Sequence, residues 1–258
     1  MDAFFVFLEK QTQMKSVSIL VFFSLSLACV SQNLSSDQLL ENAIKYHDPN
    51  GHWNRFNDVF TVIMTTPKDQ KRTSVISINL PKDHFSVDAT RGTVNTNYTI
   101  DKGACKMTYN TEVVDSLAAE EKNMNCEKGT LYKNYYTYLY GLPMKLKDPG
   151  TNLGANVEKK TFQGKEYLVL KVTYDKAVGS DVWYFYFNPK TFAMDIYQFF
   201  KTDGNGKEKP ESGEYILLSG EAVLNGIKIP KIRAWYYNND DTYLGTDVLE
   251  LSSKDVTH

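Results

Sequence analysis

The stretches TSVISINLP (residues 73–81) and HFSVDAT (residues 84–90) decide the fold class. In the first, Ile76, Ile78 and Leu80 fall on one side of an extended chain, and in the second Phe85, Val87 and Ala89 do the same. Successive side chains of a strand point to opposite faces, so a period of two predicts strands with one buried face. Only Lys82 and Asp83 separate the two stretches. That leaves room for a turn, whereas parallel neighbours need a crossover of about a dozen residues. The pattern continues through TVNTNYTI (93–100) and ACKMTYN (104–110), broken at Arg91-Gly92 and Lys102-Gly103. The first half of the chain therefore reads as an antiparallel meander.

Strand patterns return in EYLVLKVTY (166–174), DVWYFYFN (181–188), AMDIYQFF (193–200), EYILLSGEAVL (214–224), IKIPKIRAWYY (227–237) and TYLGTDVLEL (242–251). WYFYF (183–187) is apolar on both faces, which predicts a central strand covered on both sides, for instance by helices. Three segments read as helical. SSDQLLENAIKYH (35–47) starts with Ser35 and Gln38 at capping-box spacing, and Leu39, Leu40, Ala43, Ile44 and His47 form one stripe. It ends where Pro49 removes a donor and Asn50-Gly51 supplies a turn, and a cationic His47 would suit the helix C-terminus. SLAAEEKNM (116–124) is helix-prone, and TLYKNYYTYLYGLP (130–143) places Leu131, Tyr135, Tyr138 and Leu139 on one face before Gly141 and Pro143. The tyrosines of that segment are expected to bury their rings and keep their hydroxyls in water.

At 258 residues with 42% hydrophobic content the chain can bury a sizeable core. Lys plus Arg number 29 against 31 Asp plus Glu, with no block of five or six like charges, which argues against a nucleic-acid partner. MKSVSILVFFSLSLACVSQN (14–33) carries a lysine, an apolar run from Val17 to Ala28 and then small residues, the pattern of a secretory signal. Asp2 and Glu9 suit such a leader badly, which points to Met14 as the true start. The expected organisation is a signal peptide over 1–28 and a single β-rich domain over 29–258. LSLAC resembles the lipobox of bacterial lipoproteins, with Cys29 as the lipidated residue, although Ser26 stands where leucine is usual and cleavage after Ala28 or Ser31 also fits. The chain is expected to be exported, to the periplasm or to an outer-membrane anchor. Cys105 and Cys126 then remain as either a disulfide or two buried thiols.

Catalytic motifs are sparse. KYHDPNGHW (45–53) offers His47, Asp48 and His52 as metal ligands, but the remaining histidines are His84 and His258, so no second cluster completes a shell. There is no G-x-S-x-G elbow, and Asp203-Gly-Asn-Gly departs from a calcium loop at Lys207. Asp240 and Asp241 sit in a turn. Neither catalytic residues nor a cofactor or metal are assigned.

The leader, the amphipathic first helix, the meander, the helical insertion and the second strand set together resemble the envelope lipoprotein-carrier class. More specifically, KYHDPNGHW, YTYLYGLPMKLKDPG, VTYDKAVGSDVWYFYFNP and IKIPKIRAWYYNND are similar to a family of unknown function among secreted or lipidated bacterial envelope proteins. The resemblance implies a mainly β (α+β) fold, a large curved antiparallel sheet or incomplete β-barrel enclosing helices. It also implies a hydrophobic or amphipathic small molecule or lipid as partner, and the membrane itself if Cys29 is modified. The tyrosine load favours an amphipathic ligand over a bare acyl chain. Residues expected to line such a cavity are His52, Trp53, Phe56, Tyr135, Tyr138, Trp183 and Trp235. The alternatives are an envelope enzyme acting on a lipid or sugar with carboxylates assembled by the fold, and a structural or interaction protein of an envelope complex.

Overall fold

The alternation around residues 73–90 becomes two neighbouring strands in a sheet that takes up most of the chain. The structure, a computed structural model, describes residues 34–251. The expected signal peptide, Met14 and Cys29 lie outside the described residues. The first meander comprises β1 (Asn57–Thr65), β2 (Arg72–Asn79), β3 (His84–Arg91), β4 (Val94–Asp101), β5 (Ala104–Tyr109) and β6 (Glu112–Val113). The second comprises β7 (Thr151–Leu153), β8 (Glu158–Phe162), β9 (Lys165–Tyr174), β10 (Val182–Phe187), β11 (Met194–Phe200), β12 (Glu214–Leu224), β13 (Ile227–Tyr237) and β14 (Tyr243–Leu251). Every pairing is between antiparallel neighbours, and the meanders are joined where β1 pairs with β14, Phe60 opposite Leu251 and Thr65 opposite Thr246. The result is a 14-stranded open sheet running from β6 to β7, with β8 sharing the β9 edge beyond β7. Its ends do not meet, so it is an incomplete barrel.

Helices fill its concave side. α1 (Ser36–His47) has the full capping box at Ser35 and Gln38 and buries Leu39, Leu40 and Ala43. α2 (Ser116–Glu121) and α3 (Cys126–Gly141) connect β6 at one edge to β7 at the other, so α3 has to cross the concave face. Asp115 and Asn125 cap these two helices by accepting from the amides of Ala118 and Lys128. Cys126, the first residue of α3, is joined by a disulfide to Cys105 on β5.

The buried face of α3 is not the one its apolar residues suggest. Leu131 is 65% exposed and Tyr135 38% exposed, while Tyr136, Leu139 and Tyr140 are buried. The row Tyr132, Tyr136, Tyr140 at four-residue spacing presses on the sheet, where its rings meet Tyr98, Phe85 and Phe60. Gly129 makes that approach possible, because a Cβ there would lie 3.1 Å from the Tyr98 ring. Full burial of Phe60 and Phe85 contributes roughly 1.5–3 kcal/mol each, which outweighs the gain from covering Leu131 alone. The Tyr140 hydroxyl is buried without a partner, so one tyrosine of the segment does not keep its hydroxyl in water.

β10 is covered on both faces, but not by helices on both. Phe185 and Phe187 join the main core, whereas Tyr184 and Tyr186 join a second cluster with Tyr167, Val169, Val182 and Ile196. Side chains of neighbouring strands, Phe162 of β8 among them, pack that outer face.

Candidate functional site

Arg233 on β13 holds α3 in the sheet. It has the parity of Trp235, which points to the concave side, and it is 1% exposed. Its Nη1 donates to Pro230 O at 2.9 Å and its Nη2 to Leu139 O at 3.4 Å. Its guanidinium carbon lies 4.1 Å from the Tyr140 ring centre. A cation at the last-turn carbonyls complements the partial negative charge of a helix C-terminus. Asp247 on β14 stands opposite Arg233 in register and is also buried. Burial pushes the Asp247 carboxyl above the usual carboxylate range, although Arg233, Arg72 and the Trp235 indole all oppose that shift.

Because α3 buries the Tyr132–Tyr136–Tyr140 row, open space is left on both of its flanks. On one flank a cavity of about 430 Å³ lies between Leu131, Tyr135 and the strands carrying Met64, Trp235, Leu244 and Asp247. A smaller chamber of about 270 Å³ extends over β2, β3 and β4, with Ser74, Ala89, Arg91 and Thr96 in its wall. Arg72, Tyr132 and Tyr136 border both chambers. On the opposite flank, Tyr138, Tyr174, Trp183, Asp148 and Asp181 line a third cavity of about 630 Å³.

The structure divides the expected cavity residues into three sets. Tyr135 and Trp235 stack at 6.5 Å between ring centres in the first cavity. Tyr138 and Trp183 meet edge to face at 5.8 Å in the third, where the Tyr138 hydroxyl bonds that of Tyr174. His52, Trp53 and Phe56 lie away from all three cavities. Trp53 and Phe56 are core residues, and His52 Nδ1 is 2.7 Å from Asn225 O in the β12–β13 turn. Burial raises the Tyr138 hydroxyl well above its ordinary range, so it stays neutral and can donate a hydrogen bond.

Sequence reasoning missed the charged members, Arg72, Arg91, Arg233 and Asp247. A usable signal was present in each strand. Arg72 has the parity of Ile76 and Ile78, Arg91 that of Phe85 and Val87, Arg233 that of Trp235, and Asp247 that of Leu249. A charge on the core-facing parity of a strand marks either a buried pair or a lined cavity. Among the described residues no group of three or more His, Cys, Asp or Glu is arranged to hold a metal ion. No helix among them is long and apolar enough to cross a membrane.

An open antiparallel sheet wrapped round a crossing helix, with aromatic cavities on both flanks, defines an incomplete-barrel β protein. Residues 15–250 match the profile of DUF6503, described as a family of unknown function. The chain belongs to that family. Among solved structures it is similar to a LolA superfamily protein from Nitrosomonas europaea at 10% identity and a TM-score of 0.47, over 87% of this chain and 98% of the other. It is also similar to a DUF1329 family protein from Desulfovibrio piger at 6% identity and a TM-score of 0.46, over 86% of this chain and 95% of the other. No curated protein matches the chain.

Proposed function

We propose that this is a non-enzymatic binding protein of the bacterial envelope, which holds a hydrophobic or amphipathic ligand on the flank of α3. The observation that carries the reading is the cavity between α3 and β13–β14, where Tyr135 and Trp235 stack beside Arg72 and Asp247. Mostly apolar walls with a few convergent polar groups are what small-molecule sites share, and its volume of about 430 Å³ falls inside their usual range of roughly 300–1,000 Å³. The signal-like sequence over residues 1–28 supports export, and lipidation at Cys29 would tether the cavity to a membrane. Replacing Cys29 with Ser and measuring the mass of the mature protein tests the tether. A mature unsubstituted protein without the added mass of acyl groups would remove it.

Native mass spectrometry of gently purified protein, with a thermal-shift screen against envelope lipid extract, tests the binding. A ligand adduct and a raised midpoint are expected. Leu131→Asp should weaken both while leaving the apo midpoint near its original value, since Leu131 is 65% exposed. An absence of adduct and of shift in the unsubstituted protein would sink the proposal.

A second reading, an enzyme acting on an envelope lipid or sugar, is favoured by one observation. Asp148 and Asp181 line the same third cavity in different surroundings. Asp148 accepts from Lys145 Nζ, whereas burial raises the Asp181 carboxyl. Two acids in unlike environments suit an acid and base division of labour. Turnover of an envelope glycan or lipid that is lost in Asp181→Asn would support this reading, and turnover unaffected by the substitution would end it.

A further inference from the structure

We propose that the ligand is an anionic amphiphile, with its acidic head group held between Arg72 and Arg91 in the smaller chamber. Its apolar body lies along α3 against Tyr135 and Trp235 in the larger chamber. The inference rests on the ligand-binding reading above and names its ligand class.

Arg72 and Arg91 are direct cross-strand partners on β2 and β3. Both have the parity of the core-facing residues, so the register brings two arginine side chains to the wall of one chamber. Like charges directly opposed destabilise a sheet, and the arrangement costs stability unless an anion offsets it. The protein offsets it in part, because the Asp247 carboxyl in the larger chamber interacts with Arg72 as well as with Arg233. Arg91 has a single ion pair, to Asp69 at 3.5 Å, and its side chain is 39% exposed. Such surface pairs contribute little. Arg72 donates from Nη2 to the Tyr136 hydroxyl at 3.3 Å, and its buried Nε has no partner. Ser74, on the same face two residues along β2, is 1% exposed.

The Arg72 and Arg91 side chains border one chamber, and no carboxylate lines it. The planar guanidinium fork can donate two hydrogen bonds to a pair of carboxylate or phosphate oxygens, and such charge-assisted hydrogen bonds are about twice as strong as neutral ones. The acids in reach are Asp69 at the rim and Asp247 in the larger chamber. The larger chamber adds the apolar half, with Met64, Leu131, Tyr135, Trp235 and Leu244 in its wall. Because Arg72, Tyr132 and Tyr136 border both chambers, one molecule can place its head in the smaller and its body in the larger.

The test compares dodecanoate, dodecyl phosphate, dodecyl maltoside, dodecyltrimethylammonium and inorganic phosphate by calorimetry. The unmodified protein, Arg72→Gln and Arg91→Gln are each measured, with thermal midpoints as the folding control. Arg91 stands at the rim, so its variant remains informative if Arg72→Gln fails to fold. Dodecanoate and dodecyl phosphate should bind about tenfold or more tightly than the cationic analogue. Each Gln variant should lose about tenfold in affinity for the acids, and Arg91→Gln, which lies outside the larger chamber, should leave dodecyl maltoside unchanged. Acid affinity should also fall as salt is added. If dodecyl maltoside binds and the Gln variants bind the acids unchanged, the anionic head is overturned and the ligand reading survives. If inorganic phosphate binds as tightly as dodecyl phosphate, the site takes free anions and the amphiphile is overturned. If none of the amphiphiles binds, the ligand reading itself fails.

Discussion

His47 ends α1 with both ring nitrogens engaged. Nδ1 lies 2.7 Å from Lys228 O and must carry the proton, because Nε2 accepts the Met194 amide at 3.0 Å. Burial lowers its pKa, so the ring is neutral and links α1 to β11 and β13 instead of serving as a cation at the helix end. The unfolded chain therefore takes up a proton near pH 6.5 that the folded chain refuses. Stability should be undiminished by this group above that pH and should fall as pH drops through it towards the lower folded value. His47→Gln should flatten this part of the pH profile measured by denaturant unfolding, at a cost near neutrality of about 1–3 kcal/mol. Beside it, Asp48 accepts the amides of His52 and Trp53 on its two oxygens, at 2.7 and 2.8 Å. Asp48→Ala should destabilise the fold by about 2 kcal/mol or more, since two amides lose their partner, and an unchanged midpoint would contradict that role. KYHDPNGHW showed its turn in Pro49, Asn50 and Gly51. The partners of His47 lie far along the chain, and no local pattern reveals them.

α3 illustrates where periodicity fails at the level of an element. Its apolar residues do not define its buried face, because tyrosine serves on both the pressed row and the cavity flanks. What selects the buried row is the fit between rings on α3 and rings on β1, β3 and β4, together with the close approach at Gly129. Gly141 makes the same kind of contact at the other end. A Cβ there would overlap the Trp53 indole and come within 2.6 Å of Lys145 Cγ. Gly141→Ala should therefore lower stability by about 1–3 kcal/mol in a denaturant titration. The helix-propensity gain of up to roughly 1 kcal/mol works in the opposite direction. A stabilised Ala variant would show that this end of α3 can shift. Strands such as β1, β2 and β3 behave differently, because each bears one clearly apolar parity.

At the scale of the molecule, two local meanders become one sheet only because β1 and β14, at opposite ends of the described chain, pair with each other. The disulfide fastens the crossing helix to the first meander across a sequence separation of 21. In the chain-entropy account, a closed loop of that size stabilises by roughly 3 kcal/mol. Replacing Cys105 and Cys126 with Ser together should lower the unfolding free energy by about that amount. Loosening of α3 should also weaken ligand binding on its flank, and retention of full stability would show that the bond adds nothing to the fold.

The sequence by itself determined the mainly β class, the antiparallel neighbours, the capped first helix and the aromatic load. These follow from alternation, turn residues and capping groups, all of which act between residues close in the chain. Only the tertiary structure decided that β1 meets β14, that α3 spans the concavity on its tyrosine row, and that Arg72 meets Arg91 while Arg233 faces Asp247. Those outcomes depend on side chains between 14 (Arg233 and Asp247) and 191 (Phe60 and Leu251) positions apart competing for the same buried space. The energy that settles such a competition belongs to the packed molecule and is absent from any single segment.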